Sequence, residues 1–489
     1  MAAGWSFDNS FARQLEGFYA PWQLEPVAAP QLLHFNRGLA ERLGLGFNGL
    51  SEADLARIFA GNALPEGADP IALAYAGHQF GQFNPQLGDG RALLLGEVVS
   101  PDGQRFDIQL KGSGRTPFSR NGDGRSALGP ALREYLVSEA MAALGVPTTR
   151  SLAVVATGEK VQRERAEPGG ISTRVAASHI RVGTVQFFAA HLGPDYVRQL
   201  ADYTIARHYP AAAEAENPYL ALFEMVMDAQ AALVAQWMNL GFIHGVMNTD
   251  NMALSGETID YGPCAFIDSY DPRTVFSSID TQGRYAFGNQ PFIARWNLIQ
   301  LGNAMLPVIA EQDDAATEKV TALLEQFPER YIAAWLKGMR RKLGLVDVQE
   351  GDLDLASRLM KAMEGQSVDF TRFFRALARV PAEGPGIASA LFDDPAVGEA
   401  WIAEWLTRIE GDSLSAADRR AAMDAANPVY IPRNHKVEEA LAAAIEGDMA
   451  PYERLLDAVT RPFEERDGFE EYARPAPDSF GPYVTFCGT

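Results

Sequence analysis

Lys111, Glu134, Asp250, Asn251 and Asp260 are the residue types that, brought together, could grip a polyphosphate and a divalent cation. A lysine ammonium binds phosphate as a compact charge, and a nearby carboxylate can hold it in place. Carboxylate and amide oxygens are the hard ligands that Mg²⁺ prefers. Two glycine-rich stretches accompany them. Gly88-Asp89-Gly90-Arg91 stands just before an apolar run, and Gly112 to Ser126 reads GSGRTPFSRNGDGRS. Glycines let a backbone approach an anion closely, and arginine forks match phosphate oxygens. From Pro101 to Arg125 there are five Lys/Arg and three Asp, a basic island within a chain of formal net charge -21. Taken alone, Gly-x-Gly is a common turn, and Lys111 reads as a solvated strand-end lysine.

Spacing sharpens the reading. His244-Gly-Val-Met-Asn-Thr-Asp250-Asn251 is followed by Asp260-Tyr261-Gly262. Protein kinases use H-R-D-x-x-x-x-N and a later D-F-G, with the Asn and second Asp holding magnesium. The interval from His244 to Asn251 is the same here. An isolated Asp-x-Gly would be a turn; joined to this histidine and asparagine it reads as a metal site. One position departs: Val246 stands where the kinase catalytic aspartate belongs. General-base assistance is worth roughly 10²–10⁴-fold, so ordinary kinase chemistry is placed in doubt. Asp250, beside Asn251, is the substitute carboxylate. Arg174 and Arg181 could help hold a triphosphate, although each taken alone reads as a surface residue.

These groups need elements to position them. Ala92–Val99 and Phe106–Lys111 read as adjacent strands joined through Pro101-Asp102-Gly103. Pro130 opens a helix reaching about Leu144, with Leu132, Leu136, Ala140 and Leu144 forming its apolar stripe. Glu134 lies on that helix. Ser151–Ala156 and Ile171–Ala177 are further strand candidates, the second carrying Arg174. Asn217-Pro218 signals the start of a helix that is apolar nearly all round to Leu240, the pattern of a buried central helix. The remainder is loop-rich to about 290 and then Ala-rich and helical.

With 489 residues, 47% hydrophobic and 21% charged, the chain is expected to fold as a globular protein of several lobes. Its acidity opposes nonspecific binding to nucleic acid or anionic membrane. The N-terminal stretch lacks the pattern of a secretory or transit leader. The most apolar segment, Leu220 to Met238, is interrupted by Glu224, Asp228, Gln230 and Gln236. We expect a cytoplasmic monomer with neither nucleic-acid nor membrane partners. Cys264 and Cys487 are the two cysteines, which argues against a disulfide framework.

Long runs resemble the selenoprotein O family: YAGHQFGQFNPQLGDGRALLLGE from Tyr75, QLKGSGRTPFSRNGDGRSALGPALREYL from Gln109, HGVMNTDNM, DYGPCAFIDSYDP, and YIPRNHKVEEAL from Tyr430. The resemblance implies an α+β, protein-kinase-like bilobal fold, with a small β-rich N-lobe and a large α-helical C-lobe. It divides the chain into an N-terminal extension (1–85), a nucleotide-binding lobe (86–182), a lobe with catalytic and metal loops (183–300) and a helical C-terminal region (301–489). It implies transfer of AMP from ATP to Ser, Thr or Tyr hydroxyls of proteins, with Mg²⁺ or Mn²⁺, the nucleotide being inverted relative to kinases. UTP with manganese is a further donor in some members. Matched by position, Gly88, Gly90, Arg91, Lys111, Asp123, Gly124, Arg174, Arg181 and Asp260 would contact ATP. Asn251 and Asp260 would hold the metal, Asp250 would accept the proton, and Glu134 would pair with Lys111. Cys264 and Cys487 would form a redox pair. The alternatives are a kinase-like phosphotransferase and a non-catalytic nucleotide-binding scaffold.

Overall fold

Alternation along Arg105–Lys111 sets the architecture. Ile108 and Leu110 face one apolar layer, so Asp107, Gln109 and Lys111 face the other way. In a computed structural model, which describes residues 4–310 and 313–486, this strand lies inside an antiparallel sheet of eight strands. Tyr19–Pro21, Ile71–Leu73 and Ala92–Val99 lie on one side of it in that order; Ala166–Ala176, Arg150–Gln162 and Gln31–Phe35 lie on the other. Ser126–Ala127 pairs with Ala166–Ala176. Residues ahead of position 86 thus supply both outer strands of the main path. The strands Arg150–Gln162 and Ala166–Ala176 run well past the lengths expected from sequence, into a hairpin whose tip carries Arg163.

Each face of the sheet is covered. Leu39, Leu55 and Phe59, from the short helices Arg37–Arg42 and Glu52–Phe59, pack with Ile108, Leu110, Leu152 and Val155. On the opposite face the helix Leu128–Ala143 packs through Leu132, Leu136 and Ala140, together with Val154 and the C-terminal residues Val437 and Tyr452. That helix ends in a left-handed glycine, Gly145. Gly145 N–H donates to Ala142 O at 3.0 Å and Val146 N–H to Met141 O at 3.0 Å, which satisfies carbonyls the last turn would otherwise leave open.

Beyond residue 182 the described structure is mostly helical. Asn217 Oδ1 accepts from Leu220 N–H at 3.1 Å, and Gly241 in the left-handed region (φ 75°) stops the helix Pro218–Leu240. Among the described residues this is the one helix long and apolar enough by composition to cross a membrane; half of its most apolar window is buried inside the protein. Directly after it, Phe242–Ile243 pairs with Ala265–Phe266. This short ladder closes a loop that brings Asp260 to Lys111 and Arg174 on two central strands.

That ladder is braced from the C-terminal region. Phe370 N–H donates to Asp268 O at 2.8 Å, and Tyr270 N–H to Val368 O at 2.9 Å. The buried Lys342 ammonium sits 3.9 Å from the Phe374 ring centroid, and 5.3 Å from that of Phe370. Burial pushes the Lys342 ammonium down to about 7. A ring face returns about 2 kcal/mol or more when desolvated, and the lowered value shows that desolvation still outweighs it. Because the folded value lies below the unfolded one, unfolding takes up a proton between about pH 7 and 10. Stability from this group therefore rises with pH across that window. Lys342→Met is expected to raise the melting temperature at pH 7 and to lose that advantage by pH 10. A melting difference that does not change with pH would contradict the charge-burial account.

Candidate active site

The strand register makes neighbours of residues far apart in sequence. Arg174 lies opposite Gln109, two residues from Lys111 and on the same face. Lys111 Nζ donates to Glu134 Oε2 at 2.7 Å and to Asp260 Oδ1 at 2.9 Å. Arg174 donates to Glu134 Oε1 at 2.7 Å and to Asp260 Oδ1 at 2.6 Å. Arg181 reaches Asp260 Oδ2 at 3.5 Å and Asp89 Oδ1 at 3.9 Å, while its guanidinium lies 4.4 Å from the Tyr75 ring centroid. Both arginine side chains are only 3% exposed. This corrects the surface assignment that each residue suggests on its own. Burial alone would raise the Asp260 carboxyl, but Arg174, Lys111 and Arg181 hold it well below the usual carboxylate range. Glu134 is likewise lowered against its burial by Arg174 and Lys111.

These charges form the floor of a cavity of about 500 Å³, a size suited to a small-molecule ligand. The cavity is lined by seven Lys/Arg and four Asp, a local basic excess in an acidic chain. Gly88, Gly90, Arg91, Lys111, Asp123, Gly124, Arg174, Arg181, Asp250, Asn251 and Asp260 all line it. Glu134 stands behind Lys111, and buried Cys264 lies outside the lining. Cys487 falls outside the described residues; Thr485 Oγ1 donates to Pro263 O at 2.8 Å, next to Cys264.

The glycines of the first motif are needed for packing within the protein. A side chain at Gly88 would overlap the Phe118 ring, and one at Gly90 would come within 2.9 Å of Phe118 O. The second glycine-rich segment thus folds down on the first, with Thr116 Oγ1 donating to Asp89 O at 2.6 Å. Gly124 approaches the Gly114 backbone too closely for any side chain. Arg163, which the sequence did not single out, clasps this loop. It donates to Asp123 Oδ2 at 2.9 Å and to Arg125 O at 2.9 Å.

The loop after the buried helix forms the opposite wall. His244 is fully buried; its Nε2–H donates to Ile259 O at 2.8 Å, and burial lowers its affinity for a proton. A neutral imidazole therefore ties the 244–251 loop to the residue preceding Asp260. Asp260 itself adopts φ 63°, a left-handed conformation that aspartate tolerates better than most residues. The Tyr261 ring is buried beside Phe242, and its hydroxyl contacts Thr148. Asn251 Nδ2–H donates to Val246 O at 3.0 Å, so the amide oxygen is the end left to ligate a cation. Asp250 is buried, and Oδ1 has no hydrogen-bond partner among the described residues. Burial pushes its carboxyl up to about 6.

Among the described residues no cluster of three or more His, Cys, Asp or Glu is placed to hold a metal. The set nevertheless fits a hard cation that takes most of its ligands from phosphate and water. Asp260 Oδ2, 3.5 Å from Arg181, and the Asn251 amide oxygen supply hard donors on the cavity wall.

Comparison with known proteins agrees with this chemistry. Residues 3–460 match the family described as "Protein adenylyltransferase SelO". A protein named "Protein nucleotidyltransferase YdiU" from Sphingopyxis alaskensis is 59% identical over 484 residues, covering 99% of each chain. Its namesake in Cereibacter sphaeroides is 60% identical over 485 residues, again covering 99% of each chain. In Rhizobium etli the protein of that name is 55% identical over 491 residues, covering 100% of this chain and 98% of its own. The chain belongs to the SelO family of protein adenylyltransferases and is a nucleotidyltransferase.

Proposed function

We propose that this enzyme transfers AMP from ATP to Ser, Thr or Tyr hydroxyls of proteins, using a kinase-like bilobal scaffold that holds its nucleotide inverted. The observation that carries this reading is the ionic floor of the cavity. Lys111, Arg174 and Arg181 converge there around Asp260. A floor of buried cations suits a polyphosphate tail and would be a poor seat for a purine. Seating the tail inward turns the α-phosphorus toward the loop wall that carries Asp250. In this scheme residues 86–182 form the nucleotide-binding lobe and 183–300 carry the catalytic and metal loops. Residues 1–85 are an extension that packs on that core and adds three strands to its sheet, and 301–489 form the helical C-terminal region.

The acceptor oxygen attacks the α-phosphorus as its proton passes to the Asp250 carboxylate. The bond from the α-phosphorus to its bridging oxygen breaks, and pyrophosphate leaves toward Lys111, Arg174 and Arg181. Asp260 and Asn251 would hold Mg²⁺ or Mn²⁺, which supplies charge neutralisation at the phosphates. Gly88, Gly90, Arg91, Asp123 and Gly124 complete the nucleotide site, and UTP is a second donor in the presence of manganese. Cys264 and Cys487 are a candidate redox pair. We read the protein as a cytoplasmic monomer whose partners are its protein substrates.

Val246 argues against a phosphotransferase, because it occupies the place of the kinase aspartate. Isotope position separates the readings. Incubation with ATP and either Mg²⁺ or Mn²⁺ should leave α-label on protein, stable to denaturation, and no γ-label. Transfer of γ-label alone would establish kinase chemistry, and no label on any acceptor would favour a scaffold. Asp260→Ala and Lys111→Ala should each lower the rate of α-label transfer by at least ~10²-fold. Either variant at the full rate would remove that residue from the mechanism. Chelation with EDTA should stop α-label transfer, and Mg²⁺ or Mn²⁺ should restore it; a rate indifferent to EDTA would exclude the metal assignment.

A further inference from the structure

The Asp250 backbone is clamped from several sides. Arg181 Nη1 donates to Asp250 O at 3.1 Å, and a side chain at Gly183 would come within 3.3 Å of Asp250 Cα. Its carboxylate is held differently. Among the described residues one side chain hydrogen-bonds it: Gln79 Nε2 donates to Oδ2 at 3.2 Å, while Oδ1 is left without a partner.

Gln79 reaches that place from a small hairpin in which Gly77–Gln79 pairs with Gln82–Asn84. The two turn residues, Phe80 (φ 51°) and Gly81 (φ 83°), are both left-handed. This is the turn geometry that matches strand twist, although here a bulky residue bears it. Such a conformation costs on the order of 1 kcal/mol or more for a non-glycine residue, so neighbours must impose it. Phe80 N–H donates to Asn248 Oδ1 at 3.2 Å and to the Tyr285 hydroxyl at 3.1 Å, and its ring packs on Tyr285. His78 N–H donates to Thr249 Oγ1 at 2.6 Å, and Thr249 Oγ1 donates to Gln186 Oε1 at 2.7 Å. The hairpin edge is thus bonded to the two residues immediately ahead of Asp250. Strand alternation puts Gly77 and Gln79 on one face and His78 on the other. Any side chain at Gly77 would overlap Asp250 Oδ1, so glycine there lets the carboxylate sit against the hairpin.

We propose that Gln79 is a positioning residue: its bond to Oδ2, with Oδ1 seated against Gly77, fixes the carboxylate that takes the acceptor proton. The inference rests on Asp250 being the proton acceptor. Displacing a reacting group by about 1 Å can cost ~10²-fold in rate. The Gln79 amide restrains rotation of the carboxylate that would cause such a displacement.

The test uses the full-length enzyme, α-labelled ATP and incorporation into the enzyme's own hydroxyls. Gln79→Ala should lower kcat by ~10–10²-fold and leave the KM for ATP within about twofold. Gln79→Asn, polar but one methylene shorter, should behave like Gln79→Ala. On an Asp250→Asn background, Gln79→Ala should have no further effect, because the base it positions is gone. A general structural role would instead reduce the residual rate by the same factor in both backgrounds, and that result overturns the proposal. Full kcat in Gln79→Ala with a crippled Asp250→Asn overturns this inference alone. A full rate in Asp250→Asn overturns the assignment of Asp250, and the positioning role with it. Crystals of Gln79→Ala give a readout that needs no acceptor. Asp250 should occupy more than one rotamer, and a single unchanged rotamer would contradict the proposal.

Discussion

Charge buried in a low-dielectric interior is costly unless it is paired with good geometry. The Lys111–Glu134–Arg174–Asp260 cluster meets that demand by drawing one member from each of four segments. Lys111 ends a central strand, Arg174 sits on its neighbour, Glu134 lies on the covering helix, and Asp260 follows the loop from the ladder. None of these segments can move without stranding a charge. The cluster therefore fixes where the sheet, the helix and the loop meet, and it sets two cations and their carboxylate partners at the cavity, whose whole lining carries the basic excess. Removing one partner would leave the others buried and unmatched, which explains why the rest of the fold is organised to keep all four in register.

Around this centre the protein adds parts that orient and enclose. His244 ties the loop to Ile259, and Tyr261 anchors the Asp260 turn in the core. Arg163 clasps the second glycine-rich segment at Asp123. The Gly77–Asn84 hairpin leans on residues 248 and 249, bringing Gln79 to Asp250. The C-terminal region contributes from a distance. Arg433 is buried and pairs with Asp268 and Asp369, holding the segment that follows the ladder. A site of few reacting groups is thus supported by contacts from the whole length of the described chain.

What could be read in the sequence was whatever is local. The interval from His244 to Asn251, the Asp-x-Gly at 260 and the alternation ending at Lys111 are short-range patterns, and the structure assembles them around one cavity. The α+β character was equally legible, because periodicity changes from two to near four after residue 182. Long-range pairing was not legible. Arg174 and Arg181 read singly as surface residues because their partners, Glu134 and Asp260, are brought to them by sheet register and loop return. Arg163 was missed because both hairpin strands run beyond the apolar cores that marked them. Gln79 lay inside a run noted for resemblance, but neutral polar side chains give no chemical signal until a carboxylate is placed beside them. Its one local hint was the turn at Phe80-Gly81. The part played by residues 1–85 was also hidden, since Tyr19–Pro21, Gln31–Phe35 and Ile71–Leu73 are too short to declare themselves as strands.

The central claim concerns which way a nucleotide lies over this ionic floor. The most direct measurement is a crystal structure of the enzyme with a non-hydrolysable ATP analogue and Mg²⁺. The account predicts terminal phosphates against Lys111, Arg174 and Arg181, the cation between Asp260 and Asn251, and the α-phosphorus nearest Asp250. Adenine seated at the buried end, with the γ-phosphorus beside the cation, would contradict it.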